Sequence, residues 1–415
     1  MTEKTGDKRV IADLHIHSKY SRATSKDLDF ANLVNYAKIK GVRLLGTGDF
    51  THPKWIEEIK KLKEKNVGSG VYYYKDSGFP FIITGEISLM YTQGKGRKVH
   101  IVILVPSISV AEKINSYLDT LGRRDYDGRP IFGISCIEFT KKMMEISPDI
   151  ELIPAHIWTP WFGILGSKSG FDSLSEAFGE EIKNIHAVET GLSSDPQMNW
   201  RISDLDKIAI VSFSDSHSFW PWRIGREATI FNIDGELSYG KIIDAIRKDK
   251  IEGTIEVEPA YGMYHYDGHR NCNFSCSPKE TKKLKGICPK CGEPLTIGVD
   301  YRVDELADAE RQEGYERKNA KKVYKLLPLH EVISLFTQTG LAAKKNWEIY
   351  NLLIEKFGSE FNILFDVSKE DLLKEGFNEK LVELILRNRK SRIKVKPGYD
   401  GLYGQVILEE QKKLF

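Results

Sequence analysis

Short runs of apolar, often β-branched residues recur through the first 235 positions, separated by stretches whose apolar residues share one helical face. The runs at 10–17, 42–47, 81–89, 99–105, 151–155, 187–189, 208–213 and 228–232 predict strands. Residues 30–40 predict a helix, because Phe30, Leu33, Val34 and Ala37 lie on one face and Gly41 ends it. The same period predicts helices at 55–65, 110–121, 137–146 and 174–183. Strand–helix alternation over this length implies an α/β fold, either a βα-barrel or a doubly wound sheet. Polar residues at the strand ends favour the barrel.

The pattern changes near Ile255. Residues 259–296 are rich in Tyr, Gly, His, Cys and Lys with little periodicity, and 305–325 are so charged that an exposed helix or linker is expected. Helical patterns return at 330–336, 342–357 and 369–388, before a partly extended tail. Three regions follow: an α/β unit at 1–235, a connector with a cysteine cluster at 236–300, and a small helical domain at 301–415. No repeat is evident.

Composition narrows the class. Of 415 residues, 41% are hydrophobic and 29% charged, which excludes wholesale disorder. No apolar run approaches a membrane span, and the N-terminus lacks a signal-peptide core, so a cytoplasmic protein is expected. Sixty-one basic against 59 acidic residues leave +2, so a nucleic-acid surface must come from local clustering.

The strongest chemistry begins at Asp13-Leu-His15-Ile-His17. Side chains two apart in a strand project to one side, so His15 and His17 can grip one cation. Comparable residues recur near later strands: Asp49, Glu86, His100, His156, Asp215 and His217. In a βα-barrel these converge on one rim, where so many His and carboxylates need cations between them. The mixed N/O set suits Zn²⁺ or Mn²⁺, and Mg²⁺ or Mn²⁺ is an option in turnover. Paired metals about 3.5–4 Å apart are a standard device for phosphoester hydrolysis. A single strand histidine such as His186, or the helical His330, reads as structural.

This ordered set resembles the polymerase and histidinol phosphatase (PHP) superfamily of metal-dependent phosphoesterases. The resemblance covers roughly residues 8–232 and implies a distorted βα-barrel that usually holds three metals. The sequence departs twice: Arg22-Ala23 stands where an early His is usual, and Phe50 replaces the His after Asp49. Two active-site ions are therefore expected, with a third only if a residue such as His52 substitutes. His15, His17, Glu86 and Asp215 would hold one ion, and Glu86, His100 and His156 the other. Asp49 and His217 would support a third or orient the phosphate. Glu86, Asp215 and His217 are the expected catalytic residues, acting on metal-activated water.

Downstream, Cys272-x₃-Cys276 and Cys288-x₂-Cys291 have zinc-ribbon-like spacing, and four thiolates would make a closed structural Zn²⁺ site. Lys279, Lys282, Lys283 and Lys285 give the knuckle a basic face for phosphates or a merely solvated loop. The upstream segment Tyr264-His265-Tyr-Asp267-Gly-His269-Arg270 is open to DNA contact, to metal binding or to packing of the knuckle. Residues 372–386 read as helix, Gly376 turn, helix, followed by Arg387, Arg389, Lys390, Arg392, Lys394 and Lys396. Coupled to a helical hairpin, that run reads as a DNA-backbone site.

The order of barrel, Tyr-His-Tyr-Asp-Gly-His-Arg, knuckle, hairpin and Pro397-Gly-Tyr-Asp-Gly-Leu-Tyr-Gly404 is similar to the archaeal endonuclease Q family. That resemblance implies a DNA-repair endonuclease cutting 5′ to deaminated bases (uracil, hypoxanthine, xanthine) and abasic sites. A base must leave the duplex to be read there, and Trp158, Trp161, Phe162, Phe219, Trp220 and Trp222 are candidates to wall its pocket. The loop Gly94-Lys-Gly-Arg-Lys98 is a candidate phosphate contact. Gln411 and Leu414 resemble the start of a PCNA sliding-clamp motif that stops at Phe415. The competing readings are a small-molecule phosphomonoesterase of the same superfamily and a non-catalytic DNA-binding protein.

Overall fold

The computed structural model describes residues 8–407. Gln411, Leu414 and Phe415 lie outside the described residues. An 11-stranded mixed sheet dominates the chain. Its centre is the strand Arg9–Asp13, which pairs in parallel with Leu44–Gly46 and antiparallel with Ala228–Asn232. Leu44–Gly46 continues in parallel to Pro80–Gln93.

The alternation of strands and helices suggested parallel neighbours, but Pro80–Gln93 and Lys95–Val105 form one long antiparallel hairpin. The reason is local: Gly94, at φ 70°, reverses the chain in a conformation that other residues adopt with strain. In this hairpin Arg97 turns inward while Lys95 stays exposed. Arg97 is buried over Phe171 and hydrogen-bonds the Gly170 carbonyl, the Gln93 carbonyl and Glu176. Glu151–Pro154 extends the sheet beyond Lys95–Val105.

Ala187–Glu189 and Ala209–Val211 form a separate parallel pair. Hydrogen bonds tie this pair to both flanks. Ile157 N–H donates to Glu189 O at 3.1 Å, and His17 N–H donates to Ser216 O at 2.9 Å. Ala12, Leu14, Leu44, Ile82, Val102, Leu104, Ile153, Ala155, Ala187, Ala209 and Val211 all meet in one buried cluster. These residues come from both sheets at period two, so the strands enclose a common apolar interior. The opposite faces, including Ile11, Leu45, Phe81, Ile83, Ile103 and Val188, pack in a second cluster that also takes in the helices.

The sheet also recruits segments beyond residue 235: Ile251–Glu256 pairs antiparallel with Ala228–Asn232, and Lys322–Lys325 adds in parallel. The charged stretch before it is therefore not a free linker. Its start belongs to the helix Val299–Leu306, and Arg311 and Arg317 bind Asp206 and Asp249.

Five helices follow, from Leu329–Thr337 to Glu379–Arg389, including the hairpin Lys369–Lys374 and Glu379–Arg389 about Gly376 at φ 82°. They dock on the α/β unit through a buried ion pair. Lys40 Nζ lies 2.5 Å from Glu360 Oε1 and 2.8 Å from Pro221 O, while Tyr350 Oη and Leu329 N–H also donate to Glu360. Removing one partner of such a pair strands a buried charge. Lys40→Met should therefore lower unfolding free energy by about 3–5 kcal/mol in denaturant titration, and adding Glu360→Leu should recover part of it.

Candidate metal centre

The ligand-bearing residues gather at one end of the shared interior. His15 and His17 follow Arg9–Asp13, His156 follows Glu151–Pro154, and Asp215 and His217 follow Ala209–Val211. Glu86 and His100 sit inside the long hairpin rather than at strand ends, because its two strands run past the others. Asp49, His156 and Asp215 have positive φ of 44°, 33° and 46°. Such backbone is costly outside glycine and is held by its surroundings here.

Two groups have ligand atoms within 4.8 Å of one another: His15, His17, Glu86 and Asp215, and Glu86, His100 and His156. Glu86 joins them. Its Oε2 lies 3.4 Å from His15 Nε2 and 3.3 Å from His17 Nε2, and its Oε1 lies 2.8 Å from His100 Nδ1 and 3.3 Å from His156 Nε2. His15 Nε2 and Glu86 Oε1 are buried yet make no hydrogen bond. Unsatisfied buried nitrogen and oxygen lone pairs facing one centre fit divalent cations.

Asp49 and His217 fall outside both groups. Asp49 accepts from His17 Nδ1 at 2.9 Å, Ser18 N–H at 2.6 Å and Ser21 Oγ at 2.9 Å, so it orients His17. Gly128 packs so closely that a Cβ there would lie 2.2 Å from Asp49 Oδ2 and Ser21 Oγ. His217 turns Nδ1 to the Asp215 carbonyl at 3.0 Å, with its ring 4.3 Å from that of His17. His52 caps the helix Pro53–Ile59 and stacks on Tyr20.

Three residues given no role from the sequence complete the centre. Glu189, fully buried, accepts from His15 Nδ1 at 2.9 Å and from His156 N–H at 2.9 Å. It aims the other nitrogen of His15 inward, as a carboxylate behind a ligating histidine does. Its position at the end of a predicted strand was the available signal. Arg129 Nη1 lies 3.0 Å from Glu86 Oε2. Asp13, the first residue of the histidine motif, accepts from Ser214 N–H and Oγ and from Gly225 N–H, fastening the Asp215 turn to the first strand.

Charge is strongly coupled here. Burial opposes ionisation of His15, but Glu189, Glu86 and Asp215 outweigh it and raise its pKa well above the ordinary value. Burial likewise opposes charge on Glu86, yet His100, Arg129 and His15 hold it well below the carboxylate range. His100 falls to about 4, chiefly through burial.

The cysteine cluster differs from expectation. His269, Cys272, Cys288 and Cys291 come together, and Cys276 does not join them. Asp267–His269 and Phe274–Cys276 form a hairpin in which Cys276 opposes Asp267 and places Sγ 3.2 Å from Thr281 Oγ1. His269 instead reaches Cys291 Sγ at 3.2 Å. Three thiols and an imidazole remain a set that suits zinc.

Among the basic residues, Arg389 is turned inward to the Ile363 and Val367 carbonyls, which removes it from the surface run. Arg387 pairs with Glu383, and Lys390 and Arg392 are exposed; all three line a groove of about 660 Å³. Lys282 lies 3.6 Å from Asp304, and Lys283 is exposed. Of the aromatics, Trp158, Phe219 and Trp222 are buried, and Trp220 and Trp222 pack on Trp347 of the helical region. Phe162 stacks on His100 at 4.2 Å, and Trp161 is 40% exposed beside Tyr264, so these two remain near the rim.

Residues 328–392 match the MJ0043 C-terminal domain family. The protein MJ0043 of Methanocaldococcus jannaschii is 31% identical over 296 residues, 70% of this chain. The match covers 36% of that relative's length. YqxK of Bacillus subtilis is 26% identical over 416 residues, covering 96% of this chain and 99% of its own. The crystal structure of the lesion-specific endonuclease PfuEndoQ from Pyrococcus furiosus is 30% identical, with a TM-score of 0.85 over 98% of this chain and 97% of its own. Endonuclease Q in complex with a 27-mer duplex bearing an abasic lesion at the active site is 31% identical, with a TM-score of 0.85 and 98% coverage of both chains. The chain belongs to the endonuclease Q family.

Glu189→Gln should weaken metal retention at the buried centre by about 10–100-fold, read as metal content against a graded chelator. In the cysteine cluster, Cys276→Ser should keep its zinc stoichiometry while Cys272→Ser loses it.

Proposed function

We propose that this chain is a metal-dependent DNA-repair endonuclease that hydrolyses the phosphodiester 5′ to deaminated bases and abasic sites. The observation that carries this reading is the end-to-end likeness to a lesion-specific endonuclease and to its complex with lesion-bearing duplex. The joined His/carboxylate groups support the chemistry. Uracil, hypoxanthine and xanthine come from the family resemblance and are part of the proposal. So is the distorted PHP-type βα-barrel, supported by the shared strand interior, while the pairing of Ile251–Glu256 and Lys322–Lys325 carries the α/β unit past the expected boundaries at 235 and 300.

His15, His17, Glu86 and Asp215 would hold one cation, and Glu86, His100 and His156 a second. Bound there, such cations supply an activated water and neutralise charge on the phosphate. The chain's own groups do the rest. Glu189 and Asp49 fix the imidazoles, Asp13 fixes the Asp215 turn, and Arg129 holds Glu86 and would add positive charge near a bound phosphate. His217, at the open side, is placed to orient the phosphate. Phe162 and Trp161 support a rim against which an extruded nucleotide can rest. His269, Cys272, Cys288 and Cys291 would hold a structural zinc beneath exposed Lys283.

Nicking of duplexes carrying uracil, hypoxanthine or an abasic site, beside an unmodified duplex, tests the reading. Product ends should map 5′ to each lesion, with the unmodified strand intact. Asp215→Ala should lower the rate at least 10³-fold, because it removes a ligand needed for transition-state charge stabilisation, yet leave duplex affinity within a few-fold. Turnover of a simple phosphomonoester with no nicking would favour the small-molecule phosphatase instead.

A further inference from the structure

Between the metal-ligand turn and the strand Ala228–Asn232 runs a segment that nothing in the proposed chemistry uses. It is rigidly built. Arg223 N–H and Ile224 N–H donate to Trp220 O at 2.8 and 3.0 Å, and Gly225 N–H donates to Asp13 at 2.8 Å. It ends at Arg226, whose Nη2 donates to the carbonyl of Ser214 at 3.3 Å, one residue before Asp215. Arg226 Nε is buried and has no hydrogen-bond partner.

Arg201, Arg302 and Arg311 pair with Asp304, Asp172 and Asp206, while Arg389 spends its guanidinium on the Ile363 and Val367 carbonyls. Among the described residues, Arg226 makes no ion pair, and neither does its neighbour Arg223. The adjacent Glu227 turns to Ser212 Oγ and Val257 N–H, each at 3.5 Å, rather than pairing with Arg226, and burial raises its pKa against the pull of Arg226. Glu331 accepts from Tyr261 and is a single acid acting electrostatically on both Arg223 and Arg226. Burial and the like charge of Arg223 both pull the Arg226 guanidinium down from its ordinary value. Two guanidiniums with no close ion pair share the nearby acids, and an anion beside the functional turn would complete their charge balance.

We infer that Arg226, with Arg223 beside it, is a phosphate-binding site that grips the DNA strand next to the phosphodiester being cut. With Nε buried and Nη2 on the Ser214 carbonyl, Nη1 is the nitrogen left to donate a charge-assisted hydrogen bond to a phosphodiester oxygen. The Nη2 hydrogen bond to Ser214 O places that grip one residue from the metal-ligand group. The inference rests on the DNA-cleaving reading proposed above.

Equilibrium binding of a fluorescent abasic duplex, measured by anisotropy across a salt series, tests it alongside nicking. Arg226→Gln should weaken binding about 10–100-fold, as loss of a charged hydrogen-bonded contact does. It should also reduce the slope of log affinity against log salt by about 0.9, the signature of one lost phosphate contact. Arg226→Lys should keep the slope and lose only part of the affinity. An Arg226→Gln protein with wild-type metal content and melting temperature whose affinity and salt slope are unchanged overturns the inference. So does an unchanged slope with slower nicking alone, which marks a structural prop for the Ser214 carbonyl. A wild-type protein that binds but never nicks lesion duplex instead overturns the endonuclease reading.

Discussion

Burial of the Glu86 carboxylate is the constraint around which the centre of this molecule is arranged. An ionised carboxylate with 1% of its surface exposed loses several kcal/mol of hydration, and only close positive charge or donors repay it. Four imidazoles and Arg129 surround it, drawn from four separate places in the chain. Those imidazoles need orientation in turn, which Glu189 supplies to His15 and Asp49 to His17. The result is a site with Glu86, Asp215, Glu189 and Asp49 in close quarters and one guanidinium among them. That imbalance of negative charge is what makes divalent cations the natural complement.

The helical region is fastened to the same part of the fold. Lys40–Glu360 closes on the Pro221 carbonyl, and Trp222 is sandwiched among Trp220, Trp347 and His330. Residues 220–222 lie just past His217, on the segment that ends at Arg226. Of the aromatic side chains expected to hold a base, Trp220 and Trp222 are thus spent on the joint between the two regions.

Much of the centre was legible because metal ligation demands few residue types at strand spacing. His15 and His17 at period two, the Gly-Glu at 86 and the Asp-x-His at 215–217 carry their chemistry in local pattern alone. Glu189 was less visible, since a lone acid at the end of a three-residue strand has no local signature. Arg129 and Arg226 were invisible, because an arginine's role is set by whether a carboxylate reaches it. Arg389 shows the converse: it belongs to a basic run, yet the helix ends at Ile363 and Val367 claim it. Cys276 shows it again. Four cysteines in ribbon spacing suggested four thiolates, but strand pairing opposite Asp267 turns Cys276 towards Thr281 and brings His269 into its place.

By itself the sequence determined the alternation of strands and helices, the ligand types and the order in which they occur, because periodicity and side-chain chemistry are local properties. Tertiary structure alone decided how the ligands on separate strands converge on Glu86, and the pairing of each arginine. It also decided which histidine faces the thiols. These depend on register and on contacts across the chain, where an ångström of placement separates a ligand from a structural hydrogen bond.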